Sequence, residues 1–253
     1  MTYLRKKEEL PNIKTKFEVK AAADDETAEM RLYGTIREAN RWDDPEDDTF
    51  ITSKKVRDKL NELDGQDLDI HIKTRGGDAF ESLEIRNMLK EYEGKINVYI
   101  KSLAASGGSI IATAAEKVYM FESALQMIHK AWTIVIGNAN DLVESAARLE
   151  KLDSSLRKAY MNKFVGTEQE LDQLLSDETW LTAEEALAFG LADEIIVDDD
   201  LEEDEENNEN EEENEDQNKV KENLFNKYKK NIKNKKTESK PDNESGLFNA
   251  FKN

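Results

Sequence analysis

DLDIHIKTRGGD, residues 67–78, alternates Leu68, Ile70 and Ile72 with polar residues and then stops at a glycine pair. A period of two puts the three apolar side chains on one face of a strand, and Gly76-Gly77 is where that strand has to turn. Downstream, Leu83, Ile85, Met88 and Leu89 recur at helical spacing over 79–92, and KINVYIKS (95–102) returns to strand. The unit then repeats: a small-residue turn LAASGG (103–108), a helix SIIATAA (109–115), a strand KVYMFE (117–122) and a short strand ending at LQMIHK (125–130). Upstream, ITSKKVRDKLNEL (51–63) reads as a helix capped by Thr52 or Ser53, with Val56, Leu60 and Leu63 on one face. FEVKAAADDETAEMRLYGTI (17–36) reads as two short strands around an acidic turn. Strands joined by crossover helices predict an α/β layered domain with a largely parallel sheet.

Beyond residue 130 the pattern turns helical. Residues 138–164 carry Leu142, Ala146, Leu149, Leu152, Leu156 and Tyr160 along one stripe, a long helix that projects from the body or braces it. Two short helices follow, TEQELDQLLSDE (167–178) and TAEEALAFG (182–190). The second has a capping box, Thr182 with Glu185, and a terminal Gly190. A last strand over 192–197 closes the predicted body.

The 253 residues carry a net charge of −20, unevenly spread. Residues 198–217 hold 14 acids and no base, while 218–253 hold ten lysines against four acids, leaving −12 for residues 1–197. A stretch with one apolar residue against 14 charges cannot offset the entropy of folding, so 198–253 is expected to be a disordered acidic-then-basic tail. Leu224, Phe225, Tyr228 and Ile232 within it share helical spacing and suggest a docking helix. The expected organisation is a mobile basic N-terminus (1–16), one folded domain (17–197) and the tail.

The acidic balance argues against a nucleic-acid partner, because phosphate affinity comes from clustered Lys and Arg. No uncharged apolar run approaches the roughly 20 residues of a membrane helix. The first residues lack the apolar core of a secretory signal, which leads to the expectation of a cytoplasmic protein. With no cysteine, disulfides, thiolate metal sites and a cysteine nucleophile are excluded.

Only two histidines are present. His71 lies between Ile70 and Ile72 in mid-strand and reads as structural. His129 ends a strand, where active groups of parallel α/β sheets collect. Ser106 opens a helix, where free N–H groups favour developing negative charge; it suits an acyl-transfer nucleophile, and reads equally as an N-cap in a tight turn. The Gly107 amide next to it is a natural oxyanion donor, and Gly76-Gly77 offers a second donor loop at a neighbouring strand end. The conjunction carries more weight than any one of these pieces.

RGGD (75–78), LAASGGSIIATAA (103–115), QMIHK (126–130) and TWLTAEEALAFGLAD (179–193), in that order and spacing, resemble the Clp protease proteolytic subunit, most closely its phage-encoded relatives used in capsid maturation. The resemblance covers 17–197. It implies the ββα-spiral fold shared with crotonases and a serine endopeptidase mechanism that needs no metal or organic cofactor, with Ser106 as nucleophile, His129 as general base and the Gly77 and Gly107 amides as oxyanion hole. The third triad member is Glu178 by alignment, or Asp177. It further implies stacked-ring homo-oligomers with residues 138–164 at the ring contact, and protein substrates such as capsid or scaffold proteins. The setting would be the host cytoplasm or a phage procapsid. Other readings are a housekeeping subunit working with an ATP-driven unfoldase, a crotonase-like acyl-CoA hydratase or isomerase, a signal-peptide-peptidase relative with a serine–lysine pair, and an inactive scaffold subunit.

Overall fold

The computed structural model describes residues 17–20, 27–44, 47 and 49–197. The predicted N-terminal segment, the acidic turn at 21–26 and the charged tail lie outside the described residues. The strands are β1 (Phe17–Lys20), β2 (Ala28–Tyr33), β3 (Thr35–Ile36), β4 (Phe50–Ile51), β5 (Leu68–Thr74), β6 (Ile96–Ala105), β7 (Lys117–Phe121), β8 (Leu125–Ile128), β9 (Thr179–Thr182) and β10 (Glu194–Ile196). The helices are α1 (Ser53–Leu63), α2 (Ala79–Glu91), α3 (Gly107–Ala112), α4 (Ala139–Met161), α5 (Glu168–Ser176) and α6 (Ala183–Ala188).

The main sheet runs β1-β2-β5-β6-β7-β10, with β8 joining β6 and β9 joining β8. Its central pairings are parallel, while β1–β2 and β8–β9 are antiparallel, so the α/β sheet is mixed. Alternation decides the layering. Leu68, Ile70 and Ile72 are buried beneath the helices, as are Val98 and Ile100 on the next strand. On the opposite face one row runs in register through Glu18, Arg31, His71, Tyr99, Tyr119 and Glu194. His71 stacks against Tyr99 with ring centroids 5.2 Å apart, and Tyr99 against Tyr119 at 4.8 Å; burial pushes the Tyr99 phenol up to about 12.

β6 serves two neighbours in turn. Through Asn97–Ile100 it pairs with β7, and through Leu103–Ala105 with β8. Between them the register against β5 shifts, Ile72 facing Ile100 but Thr74 facing Ala104, so Lys101 and Ser102 bulge to solvent. The bulge carries the strand end away from the main body and toward the site.

Several boundaries move from expectation. Leu103–Ala105, read as part of a turn, complete β6, and α3 begins at Gly107 rather than 109 because Ser106 makes the whole turn. The expected stripe of the long helix is buried only at its C-terminal end, at Leu156 and Tyr160 with Ala159, while Leu142 and Val143 stand in solvent. The helix therefore braces with one half and projects with the other. Thr182 caps α6 with Glu185 in the expected box. β4 and β9 have no counterpart in the sequence reading, while β3 is a separate short strand at the end of the stretch 17–36, read as two strands.

Candidate active site

The site is assembled where β5, β6 and β8 end. Ser106 follows β6 with φ 53° and ψ −118°, a conformation that a residue with a Cβ rarely adopts. Its neighbours hold it there. Ser106 N donates to Met127 O on β8 at 2.8 Å, and Ser106 O accepts from Ser109 N at 3.0 Å and Ile110 N at 3.2 Å as α3 begins. The turn aims the hydroxyl at the end of β8, and Ser106 Oγ lies 2.7 Å from His129 Nε2.

Small residues make this approach achievable. A Cβ on Gly107 would lie 2.1 Å from Ser82 Oγ, and one on Gly108 2.4 Å from Thr74 Cγ2, so only glycine lets α3 seat against α2 and β5. Gly76, at φ +87°, is closed in as well: a Cβ there would meet Gly107 N at 2.6 Å and Ser106 Cβ at 2.7 Å. The two glycine loops thus touch directly behind the nucleophile position. Gly77 sits against Ile36, which holds the loop through Ile36 N to Gly76 O at 3.0 Å and Asp78 N to Ile36 O at 2.8 Å. Asp78 then caps α2, accepting from Phe80 N and Glu81 N. Among the described residues the amides of Gly77 and Gly107 donate to no protein acceptor, so both stay available to an incoming oxygen.

Burial lowers the basicity of His129 below the ordinary histidine value, while the charges of Glu178 and Asp153 push the other way. The net effect is a neutral imidazole at pH 7, the form that accepts a proton. Glu178 ends the α5–β9 turn in a left-handed conformation, φ 50°, and is exposed. It reaches His129 by charge; no hydrogen bond joins them. Asp177 is engaged elsewhere, accepting from Gln173 Nε2 at 2.8 Å. The structure thus brings together Ser106, His129, Gly107, the Gly76-Gly77 loop and the charge of Glu178, and leaves Asp177 aside.

Asp153 was not singled out by the sequence. It sits on α4 and accepts from Ala131 N at 2.8 Å, two residues after His129. Nothing in its local sequence separates it from the other acids of an exposed helix. Among the described residues no three His, Cys, Asp or Glu side chains converge as a metal site would require, and no helix is long and apolar enough to cross a membrane.

The model of the family described as Clp protease matches residues 51–199, a span that holds every site residue named above. Among curated proteins, the chain is 28% identical over 140 residues to the ATP-dependent Clp protease proteolytic subunit of Streptococcus gordonii, covering 54% of this chain and 71% of that one.

Proposed function

Since the chain belongs to the Clp protease family of serine-type endopeptidases, we propose that Ser106, His129 and Glu178 form its triad and that the Gly77 and Gly107 amides form its oxyanion hole. The 2.7 Å contact between Ser106 Oγ and His129 Nε2 carries this reading. His129 takes the hydroxyl proton as Oγ attacks the peptide carbonyl carbon. The carbonyl oxygen becomes an oxyanion that accepts from the two amides. Collapse breaks the C–N bond, the imidazolium gives its proton to the leaving amine, and water activated by His129 frees the acyl group from Ser106. Glu178 stabilises the imidazolium by charge. A hydratase or scaffold reading gives the Ser106–His129 pair no shared task.

The finer setting belongs to the same proposal: the ββα-spiral form of the fold, ring assembly and a role in phage capsid maturation. Trp132 (73% exposed), Ile134 (79%) and Ile136 (97%) follow His129 directly, and Leu142 and Val143 continue the apolar surface onto α4. Exposed apolar side chains this close together in the sequence fit an assembly surface between copies. The opposed charge blocks of 198–217 and 218–253 fit an arm that holds the enzyme to capsid or scaffold proteins.

The test is incubation of wild-type and Ser106→Ala protein with a serine-reactive phosphonate, followed by intact mass. One adduct on the wild type alone is expected, and an unlabelled, assembled wild type would overturn the reading. Deleting 198–253 is expected to spare peptidase activity and abolish packaging; normal packaging without it would remove the capsid role.

A further inference from the structure

Helix α4 meets the site at two levels, two turns apart on one face. At the lower level Tyr160, fully buried, has its hydroxyl 2.7 Å from Ser109 Oγ, which lies 2.7 Å from Ser106 O and 3.1 Å from Met127 O. One hydroxyl pair thus ties the nucleophile turn to the strand that carries His129. At the upper level Asp153 Oδ1 accepts from Ala131 N at 2.8 Å. Lys130, between them, donates its backbone N–H to Leu175 O at 3.1 Å. The segment leaving His129 is therefore pinned residue by residue to α5 and α4.

Of these pins only Asp153 brings a full charge, and among the described residues no cation pairs with it. The nearby cations are committed elsewhere: Lys130 Nζ pairs with Asp172 at 3.2 Å, and Arg157 with Asp172 at 3.1 Å and Glu168 at 2.9 Å. The Ala131 amide is the one donor to the Asp153 carboxylate among the described residues. The side chain is half-buried, whereas Glu178 is exposed and screened by water.

We propose that Asp153 is a second acid of the site, a positioning residue that fixes the turn after His129 and sustains the imidazolium through the charge of its carboxylate. The inference rests on the Ser106–His129 reading above. The charged groups facing His129 are Asp153 from α4 and Glu178 from the α5–β9 turn, while Lys130 on its own strand turns to Asp172. Both acids raise the basicity of His129, so loss of either charge moves the acidic limb of the rate profile to lower pH and weakens the imidazolium at the transition state.

The experiment follows phosphonylation of full-length wild type, D153N, D153E and S106A across pH, separating the maximal rate from the concentration giving half of it, with thermal melts alongside. Asparagine keeps an acceptor for Ala131 N–H and removes only the charge. D153N is expected to lose about tenfold in maximal rate, one pKa unit's worth of charge interaction, with half-saturation unchanged and the acidic limb shifted down. D153E is expected to retain the wild-type limb. D153N matching the wild type in rate and limb would overturn the proposal. So would a D153N protein that fails to fold while D153E folds and labels normally, because the carboxylate would then serve the fold. Absence of labelling in the wild type would instead remove the Ser106–His129 reading itself.

Discussion

The two histidines of this chain differ by position and not by burial. His71 and His129 are both about half-buried, and burial lowers the basicity of both. His71 stands in mid-strand with its ring against Tyr99, and its Nδ1 is buried with no hydrogen-bond partner. His129 stands one residue past the end of β8, where the backbone is free to turn and Nε2 meets Ser106 Oγ. A desolvated imidazole is therefore an ordinary feature of this sheet. What sets His129 apart is a strand end with a second strand end beside it, where Ser106 stands.

The largest expected contrast comes from truncating each ring. His129→Ala, like Ser106→Ala, is expected to lower peptide hydrolysis by about 10³-fold or more, while His71→Ala stays within a few-fold. A comparable loss at His71 would break the distinction. Gly76→Ala comes next. Its Cβ would press on Gly107 N and Ser106 Cβ in a backbone conformation that alanine avoids. A loss of roughly 10²-fold in kcat with about 1–3 kcal/mol of destabilisation is expected, the scale of a strained special position, and chemical denaturation beside steady-state kinetics measures both.

A smaller effect is expected at Glu178→Gln. The carboxylate makes no hydrogen bond to His129 and is exposed, so its loss should cost roughly tenfold in kcat. A cost near 10⁴-fold would mean that Glu178 closes onto the ring when substrate binds.

The smallest effect is on stability. Each folded histidine is less basic than in the unfolded chain, so below the ordinary value near 6.5 the unfolded chain binds more protons. Stability then falls as pH drops through that value toward the folded one. His71→Phe keeps the ring stack and removes one of the two titrations. It should flatten the loss that sets in below about pH 6.5 while changing stability at pH 7 by under about 1 kcal/mol. Melting curves across that range would show an unchanged slope if His71 played no part.

The same contrast explains what could be read from the residues alone. The order of strand, glycine loop, helix and strand was legible because period-two and helical patterns are local, and Ser106, His129, Gly77 and Gly107 fall at their punctuation. β4, and the break between β2 and β3, escaped because two residues carry no period, and β9 because Thr179–Thr182 forms by pairing with β8, over 50 residues earlier in the chain. The stripe on α4 was visible, but which half is covered depends on where the helix packs against α3 and α5. Asp153 was invisible because its role is set by the commitment of Lys130 and Arg157 to other acids, and that is a property of three elements packed together.

The bulge in β6 has a consequence for how this chain can tolerate changes in length. Between Ile100 and Ala104 the strand runs four residues against two on β5, a surplus that is even. Because strand side chains alternate, an even surplus leaves Ala104 facing inward as Ile100 does, and hands Ser106 to the turn the right way round. One inserted or deleted residue at Lys101-Ser102 would invert everything beyond it. Two would be absorbed as a longer or shorter loop. The parity of a solvent-exposed dipeptide thus guards the orientation of Ser106, the proposed nucleophile, several residues away.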